Sequence, residues 1–349
     1  MTHRLTTLLV AGLALLTLSA AGYAADAATP AAAPAAETGP LHVLKTFPLG
    51  GEGGWDLLVV DPQARRVYLS RGTRVMVVDA DKGTLLGEVA DVNGSHGVAV
   101  VPEVNLGFAT AGKDKAVVVF DLKTFKTVKK IPAGPKADAI LYEPASKKVY
   151  AFDNSNGEIT IIDPADIEKA PVTLSVGGGK LESAVSDGAG RLYVNVEDKS
   201  EVVAIDTKAV KVLAHWPIAP GEEPTGIALD AAHKRLFIGC GGNQKAIIVD
   251  TETGKVLGNV AVGKGVDGAA FDAQLGLAMI PNGRDGTLSV IKEGPAGEFK
   301  VIQTLKTATR ARTTAADPTT HRIYLPGFVR GEDGKDAFAL LVVGTAEKP

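Results

Sequence analysis

The stretch "PTGIALDAAHKRLFIGCGGNQKAIIVDTETGKVLGNVAVG", residues 224–263, holds four apolar runs separated by short polar turns. The runs are rich in β-branched residues and too short for helices, so each reads as a strand. The turns "AAHK", "GGNQ" and "TETG" have the composition of tight connections between antiparallel neighbours. The stretch therefore reads as one four-stranded antiparallel sheet. It is also one copy of a repeat. Its first run, "PTGIALDA", has counterparts in "WDLLVVDP", "SHGVAVVP", "ADAILYEP", "LESAVSDG", "VDGAAFDA" and "ARTTAADP". The seven runs end at positions 62, 102, 144, 188, 231, 273 and 318, with spacings of 40, 42, 44, 43, 42 and 45. A period in this range marks a repeat architecture.

The second, third and fourth runs recur as well, as in "RVYLS", "RVMVVD" and "TLLGEVADV" of the first copy. The seventh copy lacks a fourth run, while "LHVLKTFPLG", residues 41–50, resembles a fourth run placed before the first copy. A ring solves both: the early segment supplies the outer strand of the last sheet and leaves no open seam. The fold class expected is all-β, a seven-bladed β-propeller of four antiparallel strands per blade over residues 41–349.

Ahead of it, residues 1–24 read as a secretory signal peptide. Arg4 gives a positive start, an apolar core follows, and Gly22 and Ala24 form a small-residue cleavage pair. Residues 25–40 read as an extended Ala/Pro linker. The expected location is the periplasm or the exterior, with no membrane span in the mature chain and a monomeric state. Cys240 is the one cysteine, so no intramolecular disulfide forms, and "LFIGCGG" makes it a small buried residue. A formal net charge of −3 and 5% aromatic residues argue against nucleic-acid binding by a basic field or by stacking platforms.

The units "VVDPQARRVYLSRGTRVMVVDADKGTLLGEV" and "IALDAAHKRLFIGCGGNQKAIIVDTETGKVLGNVAVG" resemble the YVTN repeat of the YncE-like propeller proteins. The shared pattern is an apolar strand, D-P, a turn, V-Y-V, a polar loop, V-I-D-T and a G-K turn. The resemblance covers nearly everything from residue 41 onward and implies an exported bacterial propeller; single-stranded DNA binding is associated with one family member. Two copies depart from it: Lys292 and Gly344 stand where earlier copies carry a turn Asp, and the loop "RGEDGK" is longer.

Aligning the first runs puts Asp56, His96, Asp138, Glu182, Thr225, Asp267 and Arg312 in one column. First strands line the channel of a propeller, so this column becomes a polar ring at one mouth. Asp56, His96, Asp138, Glu182 and Asp267 are the candidate metal ligands; oxygen donors suit Ca²⁺ or Mg²⁺, and a His with carboxylates suits Zn²⁺ or Mn²⁺. The whole column is a candidate site for a small ligand or a periplasmic protein partner. The alternative is a lactonase-like or metal-assisted hydrolase in which His96 and Glu182 move protons and Arg312 grips an anion. The loops between second and third strands add Arg71, Lys113, Asn154, Asn156, Asp198, Asn243, Asn282, Arg284 and Arg330 to the same mouth as ordinary polar turns. The recurrent Asp79, Asp121, Asp163, Asp206 and Asp250 are expected to cap turns, and His233 and His321 to be exposed in hairpins.

Overall fold

The computed structural model describes residues 1–2, 38–331 and 334–346. The signal segment and most of the Ala/Pro linker thus lie outside the described residues.

β1 (Leu41–Pro48) comes first. Blade 1 is β2 (Leu58–Asp61), β3 (Arg66–Arg71), β4 (Arg74–Asp79) and β5 (Leu85–Val89). Blade 2 is β6 (Ser95–Val101), β7 (Leu106–Ala111), β8 (Ala116–Asp121) and β9 (Thr127–Pro132). Blade 3 is β10 (Ala137–Glu143), β11 (Lys148–Asp153), β12 (Glu158–Ile162) and β13 (Val172–Ser175). Blade 4 is β14 (Leu181–Ser186), β15 (Arg191–Val196), β16 (Glu201–Asp206) and β17 (Lys211–Pro217). Blade 5 is β18 (Pro224–Asp230), β19 (Arg235–Cys240), β20 (Lys245–Asp250) and β21 (Val256–Ala261). Blade 6 is β22 (Ala270–Asp272), β23 (Leu277–Asn282), β24 (Thr287–Glu293) and β25 (Phe299–Lys306). Blade 7 is β26 (Ala315–Asp317), β27 (Arg322–Arg330) and β28 (Asp336–Thr345), completed by β1. The protein is a seven-bladed propeller of four-stranded antiparallel sheets, closed as the repeat count predicts. β1 pairs with β28 from Leu41↔Thr345 to Pro48↔Ala339. Buried Gln303 of blade 6 holds it from the other side, accepting from the Leu41 N–H at 3.1 Å and donating to the Leu41 carbonyl at 2.8 Å.

Burial explains the sequence pattern. The two middle strands of each blade face neighbours on both sides and are buried almost throughout, as in β16 and β20; their sequences are accordingly continuous apolar runs rather than alternations. Outer strands such as β17 and β21 alternate exposed with covered residues. The core is not one mass. It consists of seven apolar layers, one at each seam between adjacent blades. Cys240 lies fully buried in the seam between blades 4 and 5, and burial pushes its thiol up to about 12.

Polar groups stitch the seams at the face where first and second strands are joined. The tyrosine of the repeat donates across them: Tyr150 to Thr207 O at 3.2 Å, Tyr193 to Thr251 O at 3.4 Å and Tyr324 to Ala80 O at 3.2 Å. At the closing seam the Arg65 guanidinium bridges buried Asp317 of blade 7 and Asp81, the latter at 2.6 Å. The recurrent Asp residues do cap turns; Asp250 accepts from Glu252 N at 3.1 Å and Thr253 N at 2.8 Å. That turn also needs Gly254, which has φ +70° and leaves room for Trp216 of blade 4, whose ring would lie 2.2 Å from a Cβ there. His233 is exposed as expected. His321 is not: it is half-buried, with Nδ1 2.9 Å from the carboxylate of buried Asp272 in blade 6. A hairpin position looks exposed in sequence, but here the neighbouring blade covers it.

Candidate functional site

The first strands run down the axis and line three cavities that share residues end to end. A polar mouth of about 150 Å³ carries Asp56, His96, Asp138, Asn154, Glu182 and Asp267. Below it, a waist of about 210 Å³ is apolar, with Leu57, Val98, Ile140, Val185 and Ile227 on its walls. The opposite end opens into about 510 Å³ among residues such as Tyr142, Ile227 and Phe271. The polar residues are thus concentrated at one end because each first strand carries one near or just before its start and continues with mainly small or branched apolar residues.

Within the mouth, the His96 Nδ1 lies 2.6 Å from Asp56 Oδ2 and 3.7 Å from Asp138 Oδ2. The three side chains offer ligand atoms within 4.8 Å of one another, a spacing that one cation with bonds near 2 Å closes by small movements. Asp56 also receives Arg312 Nη2 at 3.4 Å, and Arg312 Nε donates to Asp267 at 2.5 Å. Asn154 Nδ2 donates to Glu182. Lys136 Nζ donates to Asn154 Oδ1 at 3.2 Å, from the rim.

Four carboxylates therefore share one small cavity, against His96 and Arg312 as the opposing cations bonded to them. The excess of acid shows in their titration. Burial, and then the negative neighbours, push Glu182 up to about 9. Burial raises Asp138 to about 7 although His96 pulls it down, and burial with the Asp56 charge raises Asp267 to about 6. The hydrogen bond to Asp56 raises His96. A bound cation would reverse the first three effects by supplying positive charge where the protein withholds it.

Six of the seven ring positions meet in this network. Thr225 does not: its hydroxyl turns into the blades, to Val266 O at 3.2 Å and Gly239 O at 3.4 Å, and it is absent from the cavity wall. The grouping of His96, Glu182 and Arg312 as a catalytic set is not assembled. Among the described residues no hydrogen bond or ion pair joins any two of them. Arg312 is turned onto Asp56, Asp267 and the Trp55 carbonyl at 2.9 Å, so its fork is committed to internal partners. A mouth walled by acids also repels phosphates.

The comparisons agree with this architecture. No family model matches the chain. It is 24% identical over 221 residues, 62% of its length, to the uncharacterized protein YncE of Salmonella typhimurium. The chain is thus similar to YncE in sequence and is itself a seven-bladed propeller. The match spans 60% of that relative's length, less than two thirds of it. Solved structures resemble it in fold alone. Hydrazine synthase of Kuenenia stuttgartiensis superposes with a TM-score of 0.72 at 15% identity, over 84% of this chain and 96% of that one. A chain of the mitotic checkpoint complex gives 0.74 at 14% identity, over 92% and 98%.

One mouth-loop residue of this propeller behaves unlike a polar turn. Arg71 is buried, with its guanidinium 3.8 Å from the Phe338 ring centroid. It donates to the Gly51 carbonyl at 2.6 Å and to that of Gly53, while burial, then Arg74, lowers it to about 10. The glycine-rich "GGEGG" loop is thus a carbonyl wrap for a buried cation, not an anion cradle. The only sequence signal was the coincidence of five residues with four glycines opposite an arginine one blade strand later. No helix among the described residues is long and apolar enough to cross a membrane.

Proposed function

We propose that this YncE-like propeller is an exported binding protein whose polar mouth holds a divalent cation through Asp56, His96 and Asp138. Glu182 and Asp267 add oxygen donors to the same cavity, and a bound cation would draw the proton off Glu182. The observation that carries the reading is the convergence of four carboxylates and one imidazole on about 150 Å³, with Arg312 as the single permanent cation bonded to them. The mixed His and carboxylate set favours Zn²⁺ or Mn²⁺ over Ca²⁺. The apolar waist beneath keeps the ion at the rim, where it could carry a small ligand or dock a partner. The signal-like segment at residues 1–24 supports export.

The test is metal content of untagged protein isolated from the periplasm, by mass spectrometry, beside Asp138→Ala. Near-stoichiometric metal in the wild type and its loss in the variant are expected. Metal-free wild type that also shows no thermal shift with about 1 mM Zn²⁺, Mn²⁺ or Ca²⁺ would overturn the reading.

A further inference from the structure

A further cavity, larger than the polar mouth and outside the axial channel, lies at the opposite face between blades 5 and 6. Its volume is about 660 Å³, within the range of small-molecule sites. The departure of blade 6 from the repeat creates it. In blade 5 the third strand ends at Asp250, which closes a short turn. Blade 6 has Lys292 at that place. β24 and β25 then continue to the pair Glu293↔Phe299, with a turn held by Gly294 N to Glu298 O at 2.7 Å. The longer hairpin stands off from the β18–β19 turn and leaves the cleft between them.

The walls have a consistent chemistry. Phe271 stacks on Phe237 with centroids 5.6 Å apart and planes at 10°, and Phe299 meets Phe237 edge-on at 6.0 Å. Ile302 and Pro295 extend the apolar side. The acids facing the cleft are already engaged: Asp230 accepts from His233 and from the turn, and Glu293 lies 3.8 Å from Arg235. Of the basic side chains facing the cleft, Lys292 is the uncommitted one. Lys292 is exposed and has no bonded partner among the described residues; Lys300 pairs only with exposed Glu298 at 3.1 Å; and His233, 70% exposed, has Nδ1 held by Asp230, which leaves Nε2 free.

We propose that this cleft binds a small aromatic carboxylate, its ring against Phe271 and Ile302 and its carboxylate on Lys292, with Lys300 and His233 at the rim. An apolar floor supplies area and aromatic contact, and the one unpaired ammonium supplies orientation. The site is separate from the polar mouth and needs no cation there.

The probe is naphthoate, followed by protein-observed NMR in EDTA, with naphthalenemethanol as its uncharged counterpart. Saturable shifts at Phe237 and Ile302 are expected, with affinity about tenfold lower in Lys292→Asp, which restores the residue that blades 1–5 use, and for the alcohol on the wild type. Lys292→Gln serves as the second variant should the aspartate disturb the hairpin, and Asp138→Ala should bind naphthoate as the wild type does. Absence of saturable shifts, shifts confined to the channel, or wild-type affinity in both Lys292 variants would overturn the proposal.

Discussion

Replacing Glu182 by Gln should stabilise the cation-free protein, and only above acid pH. The folded chain holds the Glu182 proton up to about 9, whereas the ordinary value is 4.5. Between those values the folded state binds more protons than the unfolded one, so stability falls as pH rises. Below pH 4.5 both states are protonated and the residue is neutral in its effect. At pH 7 the wild type has lost at most about 3.4 kcal/mol, from about 1.4 kcal/mol per pH unit over the interval above 4.5. Water at the open mouth and local relaxation reduce this to about 1–3 kcal/mol. Glutamine keeps an oxygen to accept from Asn154 Nδ2, so the existing contact survives. For a chain of this size the gain corresponds to about 2–6 °C in Tm. Thermal melts of both proteins in EDTA at pH 4.5, 7 and 8 measure it. Equal Tm differences at all three values, or a variant that loses ground as pH rises, would refute the argument that crowded acid is the cause.

Three further outcomes follow from the seams. Arg65→Ala removes the cross-seam partner of buried Asp317, which keeps its turn bonds to Thr319 and Thr320, and should cost about 1–3 kcal/mol, read as a lower Tm. Tyr324→Phe removes one hydroxyl bond to Ala80 O and should cost about 1 kcal/mol by urea denaturation. In Gly226→Ala the new methyl would lie 2.2 Å from the Gly268 carbonyl carbon, where the first strands of blades 5 and 6 touch. That contact is backbone against backbone, so the variant should lose about 3 kcal/mol or more, or fail to accumulate.

Most of the fold was legible because the repeat prints it seven times. The period gave the blade count, the run lengths gave strands, and the missing fourth run gave the closure by residues 41–50. The column from Asp56 to Arg312 was legible for the same reason: equivalent positions in a ring must face one another. What alignment does not encode is the direction of each side chain. Thr225 occupies the column yet points into the blade, because its hydroxyl finds carbonyls of Gly239 and Val266 within reach. Arg312 stands in the column yet turns sideways onto two acids, Asp267 at 2.5 Å and Asp56 at 3.4 Å. His321 and Arg71 sit in turns whose burial depends on the neighbouring blade, a relation between segments far apart in the chain. The cleft beside Lys292 was visible only as a broken pattern; its shape depends on how far one hairpin extends.

The closure of blade 7 also sets a timetable for synthesis. β1 leaves the ribosome first of all the strands, yet its partner β28 is the last to be made, with Leu41 bonded beside Thr345. Throughout translation β1 is a strand with two unpaired edges, while earlier blades can form from neighbouring segments. Its exposed positions carry Lys45, and it ends in Pro48, residues that discourage pairing with another nascent chain. The seam that makes the ring continuous is therefore the last contact formed, and a chain cut short before β28 keeps at most six complete sheets and leaves β1 without its partner.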